Sequence, residues 1–539
     1  MDKRSLLAVV LSLAVLFIYQ YFFVKPYVPK QPPSVQKGTV PTTQSPETPI
    51  KNVVRTAASK NTSLQLAKEH TKKDIRVKTP LYTATFTTGD AALKSFRLSD
   101  YRKELKSNSD LIELVNIGNG MPAPLTVSFQ DSDIVNPGDA IYEANVEGIE
   151  ITNSTSEPRQ LIFTCEYPGA VKIEKIFTFQ SAKYTFDLEV KVHNLSATPL
   201  NQGVNLAWHQ YVNPALASDG YDDQHGPVSF IAQKIAREEA KKMETAKEKL
   251  LGPDVSWGGF ESKYFIASLI PQNPSLTSLS VTKDSREMVS VILKGTKSII
   301  PPGQAASFSY SLYLGPKDYS ILKTLGIGLE YAIDFGDWLK WLAMPMLIGL
   351  KFLYGYVHNY GIAIIILTTL IKIIFWPLGN KSYKSMKEMQ KLQPKINELR
   401  ERYKNDKTRL SQETMALYKT HHVNPLGGCL PMLIQIPVFF GLYKALLYAI
   451  ELRHSPFFWW IQDLSEKDPY YITPLIMGAT MFIQQKMTPT SADPMQAKVM
   501  LLMPVIFTFM FLNFPSGLVI YWLFNNILSI GQQYYINKS

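Results

Sequence analysis

A chain of 539 residues has room for a membrane domain and at least one soluble domain, and 46% hydrophobic residues with a mean hydropathy of only −0.05 fits such a mixture. A net charge of +11 raises nucleic acid as a partner, but no zinc-ligand spacing or aromatic RNP-like pattern accompanies it, and the basic residues gather beside apolar segments, which points to anionic lipid or the ribosome. The two cysteines, Cys165 and Cys429, imply no disulfide framework and read as inert packing residues.

Residues 1–24 place Lys3 and Arg4 ahead of SLLAVVLSLAVLFIYQYFFV. An apolar run of about twenty residues outlasts the usual signal-peptide core, and bulky Tyr19 to Phe23 stand where small residues would be cut. The segment is predicted to be an uncleaved transmembrane anchor with a cytoplasmic N-terminus. Residues 25–74, rich in Pro, Thr, Ser, Gln and Lys, cannot bury enough apolar surface to fold and are predicted to be a flexible linker. From 75 to 317, period-two runs such as LYTATFTT, RQLIFTCEY, KIEKIFTFQ and YTFDLEVKVHNLS recur between turn signals, the pattern of an all-β sandwich outside the cytoplasm. Its charged interruption, Lys234 to Leu250, reads as a solvated helical insertion or mobile loop. His193, His209 and His225, with Asp219, Asp222 and Asp223 nearby in sequence, are the groups a general acid–base reaction would use here. No metal-ligand motif or nucleophile elbow accompanies them, so the expectation is surface or packing histidines and no enzyme.

Residues 325–360 contain WLKWLAMPMLIGLKFLYGYV, nearly long enough to span but interrupted by Lys340 and Lys351. If this segment crossed, the next crossing would leave residues 381–419 outside, with eleven basic residues against five acidic ones. The positive-inside rule rejects that, so 325–360 is predicted to be an interfacial amphipathic helix on the outer face. Residues 361–379, GIAIIILTTLIKIIFWPLG, suit a hydrocarbon core of about 30 Å and form the second crossing. Lys372 lies inside it. A cation there costs roughly 2.5–3.5 kcal/mol, so it either faces a bundle interior or a wet cavity, or snorkels along its stem to an interface. None of the other late apolar stretches contains an Asp or Glu before its final residues. A charged Lys372 facing inward therefore needs water or polar side chains such as Thr368, Thr369, Gln435, Asn525 and Asn526, and an ion-coupled pump is disfavoured.

Residues 380–424 carry Leu392, Ile396, Leu399 and Tyr403 at helical spacing, then a polar NDK turn and a second apolar series, the pattern of a cytoplasmic helical hairpin. Residues 425–450 return outward as the third crossing, and 451–469 form an external loop anchored by Trp459 and Trp460. Residues 470–486 cross inward, 487–498 are cytoplasmic, 499–514 cross outward, FPSG turns, 516–534 cross inward and 535–539 are a tail. The reading is six crossings, five of them forming a polytopic helical core, with both termini cytoplasmic.

The stretches LQPKINELRERY, SQETMALYKTHHVNPLGGCLPMLIQIPVFFGLY, DPYYITPLIMGATMFIQQKM and MPVIFTFMFLNFPSGLVIYWLFNN resemble the YidC/Oxa/Alb membrane protein insertase family; NPLGGC and FPSGLVIYW are specific to it. The resemblance implies a hydrophilic groove, open to cytoplasm and lipid and closed outside, holding one basic residue on the second crossing. Lys372 matches that position, where bacterial members usually carry arginine; lysine keeps the charge and loses the planar fork. Thr368, Gln435, Tyr521 and Trp522 match other groove or substrate-contact positions. The resemblance further implies a galactose-mutarotase-like β domain, insertion and folding of nascent integral inner-membrane proteins alone or beside the Sec translocon, and weak ribosome contact, since the chain stops at Asn537-Lys538-Ser539 without a long basic tail. No cofactor is expected, since no Walker A motif occurs. The substrate groove is thus assigned to Lys372, Thr368, Gln435, Tyr521, Trp522 and Asn526. A transporter, or a membrane-anchored carbohydrate-binding or mutarotase-like protein, is the alternative. The tether leads one to expect a β domain mechanically decoupled from the membrane part and dispensable for insertion.

Overall fold

Strand Val171–Phe179 illustrates how the alternating pattern becomes a core. Val171, Ile173, Lys175, Phe177 and Phe179 turn inward, and the strand pairs antiparallel with Arg159–Tyr167 and Thr185–Asn194. Phe163, Phe177, Phe179 and Phe186 from these strands meet Phe86, Phe96 and Tyr82 with ring centroids 4.7–6.5 Å apart. Each such burial is worth roughly 1.5–3 kcal/mol, and a one-residue slip of register would forfeit the whole set. This computed structural model describes residues 72–131, 134–135, 140–155, 157–212, 226–336, 338–421, 423, 430–488 and 494–538. The predicted anchor, nearly all of the predicted linker, Asp219, Asp222, Asp223, His225 and the NPLGGC motif lie outside them. Contacts divide the chain into two units; the larger, Leu66–Pro489 with Leu501–Ser539, holds what is described below except residues 494–500.

Among the described residues the β region contains a nine-stranded antiparallel sheet, two five-stranded sheets and a two-stranded ribbon, whose inner faces share one hydrophobic core. One five-stranded sheet runs Lys249–Leu251, Ser278–Lys283, Met288–Lys294, Val204–Tyr211, Thr126–Phe129. The stretch 234–250 is not a helix. Lys234–Arg237 pairs with the strand Gly226–Ile231 and Lys249–Leu251 pairs with Ser278–Lys283, with one 3₁₀ turn at Ala240–Lys242 between them. Its helix-forming composition yields to pairing at both ends, as propensity does when tertiary contacts compete.

Ten α-helices follow among the described residues: α1 Tyr319–Thr324, α2 Lys340–Val357, α3 Tyr360–Ile374, α4 Trp376–Lys391, α5 Gln393–Arg402, α6 Lys407–Thr420, α7 Leu430–Tyr448, α8 Ile472–Met487, α9 Pro494–Phe511 and α10 Ser516–Lys538. The helix expected over 325–360 begins only at Lys340, because the residues before it are held by the β domain. Arg237 donates to Glu261 Oε1 at 2.7 Å and to the carbonyl of Ala332 at 2.8 Å, while buried Lys317 donates to Glu261 Oε2 at 2.6 Å. Tyr331 packs on Phe230, ring centroids 5.2 Å apart. Lys351 of α2 then reaches both carboxylate oxygens of Asp318 at 3.0 Å and Glu451, beyond α7, at 2.8 Å, and Arg453 donates to the carbonyls of Arg102 and Lys103. The β domain is therefore fastened at its C-terminal end, which is not the decoupling the tether led one to expect.

Among the described residues no single helix is long and apolar enough to cross a membrane. The bent pair α3 and α4, 64° apart, meets that length and composition together, and Met500–Phe511 is a shorter apolar helix. The expected straight crossing 361–379 breaks at Phe375 because Pro377, in the first turn of α4, removes a backbone donor and its ring crowds the preceding turn. Residues 380–391, expected in the hairpin, continue α4 instead; α5 and α6 follow, joined through Asp406, whose carboxylate caps α6 by accepting from Arg409 N.

Candidate functional site

The hollow that gathers polar residues of the helical region is built by α3, α4, α7 and α10. It encloses about 510 Å³, part of it open to the outside, and is lined by Thr368, Ile371, Lys372, Phe375, Leu378, Gly379, Tyr383, Gln435, Tyr521, Asn525 and Gln532. Helix α3 begins where the Asn359 side chain accepts from Ile362 N and donates to the carbonyl of Phe457. Lys372 is twelve residues past Tyr360, hence about 18 Å along the axis. Beyond it the bend turns Leu378 and Gly379 across the hollow. A side chain at Gly379 would begin 2.7 Å from Gln532 Nε2, so glycine there lets α4 close on α10.

Helix α10 supplies the polar wall. Tyr521, Asn525, Ser529 and Gln532 recur at intervals of four, four and three, one stripe about 16 Å long. Lys372 Nζ donates to Ser529 Oγ at 2.7 Å, and Ser529 Oγ donates to the carbonyl of Asn525 at 2.7 Å. Gln435 Nε2 of α7 donates to the Tyr521 hydroxyl at 2.6 Å, tying α7 to α10 towards the Ser516 end of the hollow. Towards the other end, Gln532 Nε2 donates to Asn380 Oδ1 at 2.9 Å and to the carbonyl of Trp376 at 3.1 Å. Thr368 and Thr369 spend their hydroxyl protons on Ile364 and Ile365 carbonyls, so Thr368 offers the hollow lone pairs only. Among the described residues no carboxylate lines the hollow, and the Lys372 ammonium has the Ser529 hydroxyl as its hydrogen-bond partner.

Of the residues singled out from sequence, Lys372, Thr368, Gln435 and Tyr521 thus come together from three helices. Trp522 does not line the hollow: it packs against Phe439, Phe511 and Phe507 with ring centroids at 4.7, 5.1 and 6.1 Å. Asn526 turns to α8 and donates to Thr480 Oγ1 at 3.3 Å. Ser529, Gln532 and Tyr383 belong to the hollow or its bonds and escaped the sequence reading, although the spacing on α10 carried the signal.

The β domain gathers no comparable constellation among the described residues. His193 stands on the nine-stranded sheet beside Glu174, 3.4 Å away, whereas His209 stands on a five-stranded sheet between the hydroxyls of Thr126 at 2.8 Å and Ser290 at 2.9 Å. Burial pushes the His209 imidazole down to about 4. Lys175 is fully enclosed there, and its Nζ donates to the carbonyls of Asp90, Ala91 and Leu125 at 3.0, 2.7 and 2.6 Å. Those three residues have φ of 56°, 45° and 68°, left-handed backbone that aims their carbonyls at the ammonium. Burial pushes the Lys175 amine down to about 7, while the three acceptors favour the protonated form.

Residues 74–348 match the family described as YidC periplasmic domain, and residues 352–539 match the family described as 60Kd inner membrane protein. The chain is 65% identical over 547 residues to membrane protein insertase YidC of Syntrophus aciditrophicus, covering 100% of both, and 43% identical to membrane protein insertase YidC of Geobacter metallireducens, covering 100% of this chain and 99% of that one. A crystal structure of an active YidC insertase with its first transmembrane domain resolved is similar over 87% of this chain and 93% of that one, with 20% identity and a TM-score of 0.39.

Proposed function

The chain belongs to the YidC family of membrane protein insertases, inner-membrane proteins with a periplasmic domain, and on that premise we propose that the Lys372 hollow is where the polar flank of a nascent membrane protein leaves water. The observation that carries this reading is the unspent valence of Lys372: an ammonium with three donors and, among the described residues, one hydroxyl partner and no carboxylate in the hollow around it. An acidic or polar tail supplies what the site lacks. At an effective dielectric near 20, a charge pair at 4 Å is worth up to about 4 kcal/mol before desolvation, so the net gain is smaller. The apolar part of the substrate needs no such help, since about 25 cal/mol per Å² of buried area already favours lipid.

The topology that suits this reading is six crossings with both termini cytoplasmic, the hollow opening towards cytoplasm and lipid and closed outward by Gln435 and Tyr521. Helix α2 lies in the outer interface, presenting Trp341, Ile348, Phe352 and Tyr356 to lipid. The α5–α6 pair receives substrate or ribosome at the cytoplasmic mouth, and the protein works alone or beside the Sec translocon.

The test is a set of one substrate with zero to three tail carboxylates, inserted into proteoliposomes and read by protease protection. Lys372→Arg should retain insertion. Lys372→Ala should impair the acidic members most, and Lys372→Glu should be worse still for them, because it adds repulsion. Ala and Glu variants that insert every member as the parent does would refute the charged hollow.

A further inference from the structure

The Lys372 stem is long enough to reach either the bundle interior or the nearer interface, and something has to decide between them. Four rotatable carbons separate Cα from a compact, strongly hydrated point charge, which gains hydration by swinging out of a hydrocarbon-walled hollow. Inside, the bond that resists this is the one to Ser529 Oγ at 2.7 Å. That hydroxyl is unusually well suited to accept. Its own proton is committed to the Asn525 carbonyl one turn back, at 2.7 Å, so its oxygen turns lone pairs and not a proton towards Lys372. The Tyr383 hydroxyl of α4 reaches the same Ser529, and its other neighbour is Gln484 of α8. Ser529 thus joins α3, α4 and α10 at the depth where the cation sits.

We propose that Ser529 is the positioning residue of the groove lysine: it holds the ammonium on the α10 wall with its other N–H donors unspent, and so sets how strongly insertion responds to charge on a substrate's polar flank. This rests on the reading of the hollow as the substrate site. An arginine could find a second acceptor with its fork, whereas a lysine depends on a single well-placed oxygen, so the hydroxyl matters in this chain because residue 372 is lysine. The β domain provides the contrasting case, since Lys317 ends on the carboxylate of Glu261 at 2.6 Å and is neutralised by it. A hydroxyl anchors without neutralising.

The experiment uses the full-length protein in proteoliposomes with the substrate set of zero to three tail carboxylates, and reads the ratio of insertion of the three-carboxylate member to that of the zero-carboxylate member. Ser529→Ala should lower that ratio roughly threefold to tenfold, the loss of one hydrogen bond to a charged group in a partly wet site. Ser529→Thr should restore it, because threonine makes the same bond to the carbonyl four residues back and presents the same lone pairs. Ser529→Asp should flatten it, by giving Lys372 the carboxylate that a substrate would otherwise supply. Melting of each variant in detergent accompanies the assay. A Ser529→Ala protein that keeps the parent's ratio, or that lowers every member alike, overturns the positioning role. If Lys372→Ala flattens the ratio while Ser529→Ala does not, the charged hollow stands and the positioning role falls. If Lys372→Ala also leaves the ratio untouched, both fall.

Discussion

The β domain and the helical region treat a lysine withdrawn from water in opposite ways. In the β domain Lys175 ends on three backbone carbonyls and Lys317 on the carboxylate of Glu261. Each ammonium is saturated or neutralised by its own chain, and the surroundings are built to do so, down to the left-handed residues Asp90, Ala91 and Leu125. In the helical region Lys372 ends on one hydroxyl, in a hollow that no carboxylate lines among the described residues. A buried charge costs free energy unless it is paired, so a saturated cation holds the fold together and an unsaturated one has bonding capacity left for a ligand. Buried lysine alone does not identify a site; an ammonium that its own chain neither saturates nor neutralises does.

The sharpest way to break the comparison is to remove one partner on each side. Glu261→Gln should cost roughly 3–5 kcal/mol, because it strands two cations, Lys317 and Arg237, that the carboxylate now holds. Thermal unfolding of the full chain in detergent measures it, and Lys317→Met with Glu261→Leu should recover part of the loss. Lys175→Met should cost roughly 3 kcal/mol, leaving three buried carbonyls without a donor. Lys372→Met should not destabilise, since it removes a withdrawn cation that no carboxylate among the described residues neutralises, and yet it should impair insertion of acidic-tailed substrates. If Lys175→Met and Lys372→Met lower the melting midpoint alike, the two regions do not differ as argued.

A titration sharpens the same contrast from the β side. His209 is held neutral between two hydroxyls, pushed by burial from an ordinary 6.5 down to about 4, with Asp284 pulling the other way. As pH falls below about 6.5 the unfolded chain takes up the proton first, so stability is lost from there down to about 4 and is unaffected above. The loss should reach about 2 kcal/mol at pH 5. Melting between pH 8 and pH 4 in parent and His209→Gln checks it: the variant should lack this limb, and an unchanged limb would assign it to other groups.

Much of this was legible in the residues themselves, because it is local. Period two drew the strands, and an apolar run with one lysine drew the hollow's first helix. Pro377 already marked the break that turns 361–379 into two helices, and the four, four, three spacing of Tyr521, Asn525, Ser529 and Gln532 already marked the polar wall. Lys172 and Lys175, three apart on one strand, cannot share a face, so one of them had to point into the core. What it meets there lies 50 to 85 residues away in sequence, beyond any local pattern. The same holds for 234–250, where strand partners outweighed a helical composition, and for Trp522, whose neighbour on α10 faces the hollow while its own ring packs among Phe439, Phe507 and Phe511.

The smallest expected effect lies at the seam between the two regions, where a fourth lysine tests whether saturation, and not depth, is what makes a cation structural. Lys351 is about a quarter exposed and bridges Asp318 and Glu451, so it is shallower than Lys175 yet fully engaged. Burial raises the Glu451 carboxyl and Lys351 opposes that rise. Lys351→Met should cost only about 1–2 kcal/mol, since solvent screens part of the pair. It leaves two carboxylates facing each other, a strain that protonating Glu451 relieves. The Glu451 carboxyl in the variant is then raised further above its ordinary value, so the deficit is smallest at low pH and grows as pH rises through that value. Trypsin should cut the stretch between Lys317 and Lys340 several-fold faster in the variant at pH 8, with a smaller difference near pH 5 and no change in unfolding of the β core. Cutting at the parent's rate at both pH values would mean that Arg453 and the Glu261 cluster hold the seam without Lys351, and that its two carboxylate partners are incidental.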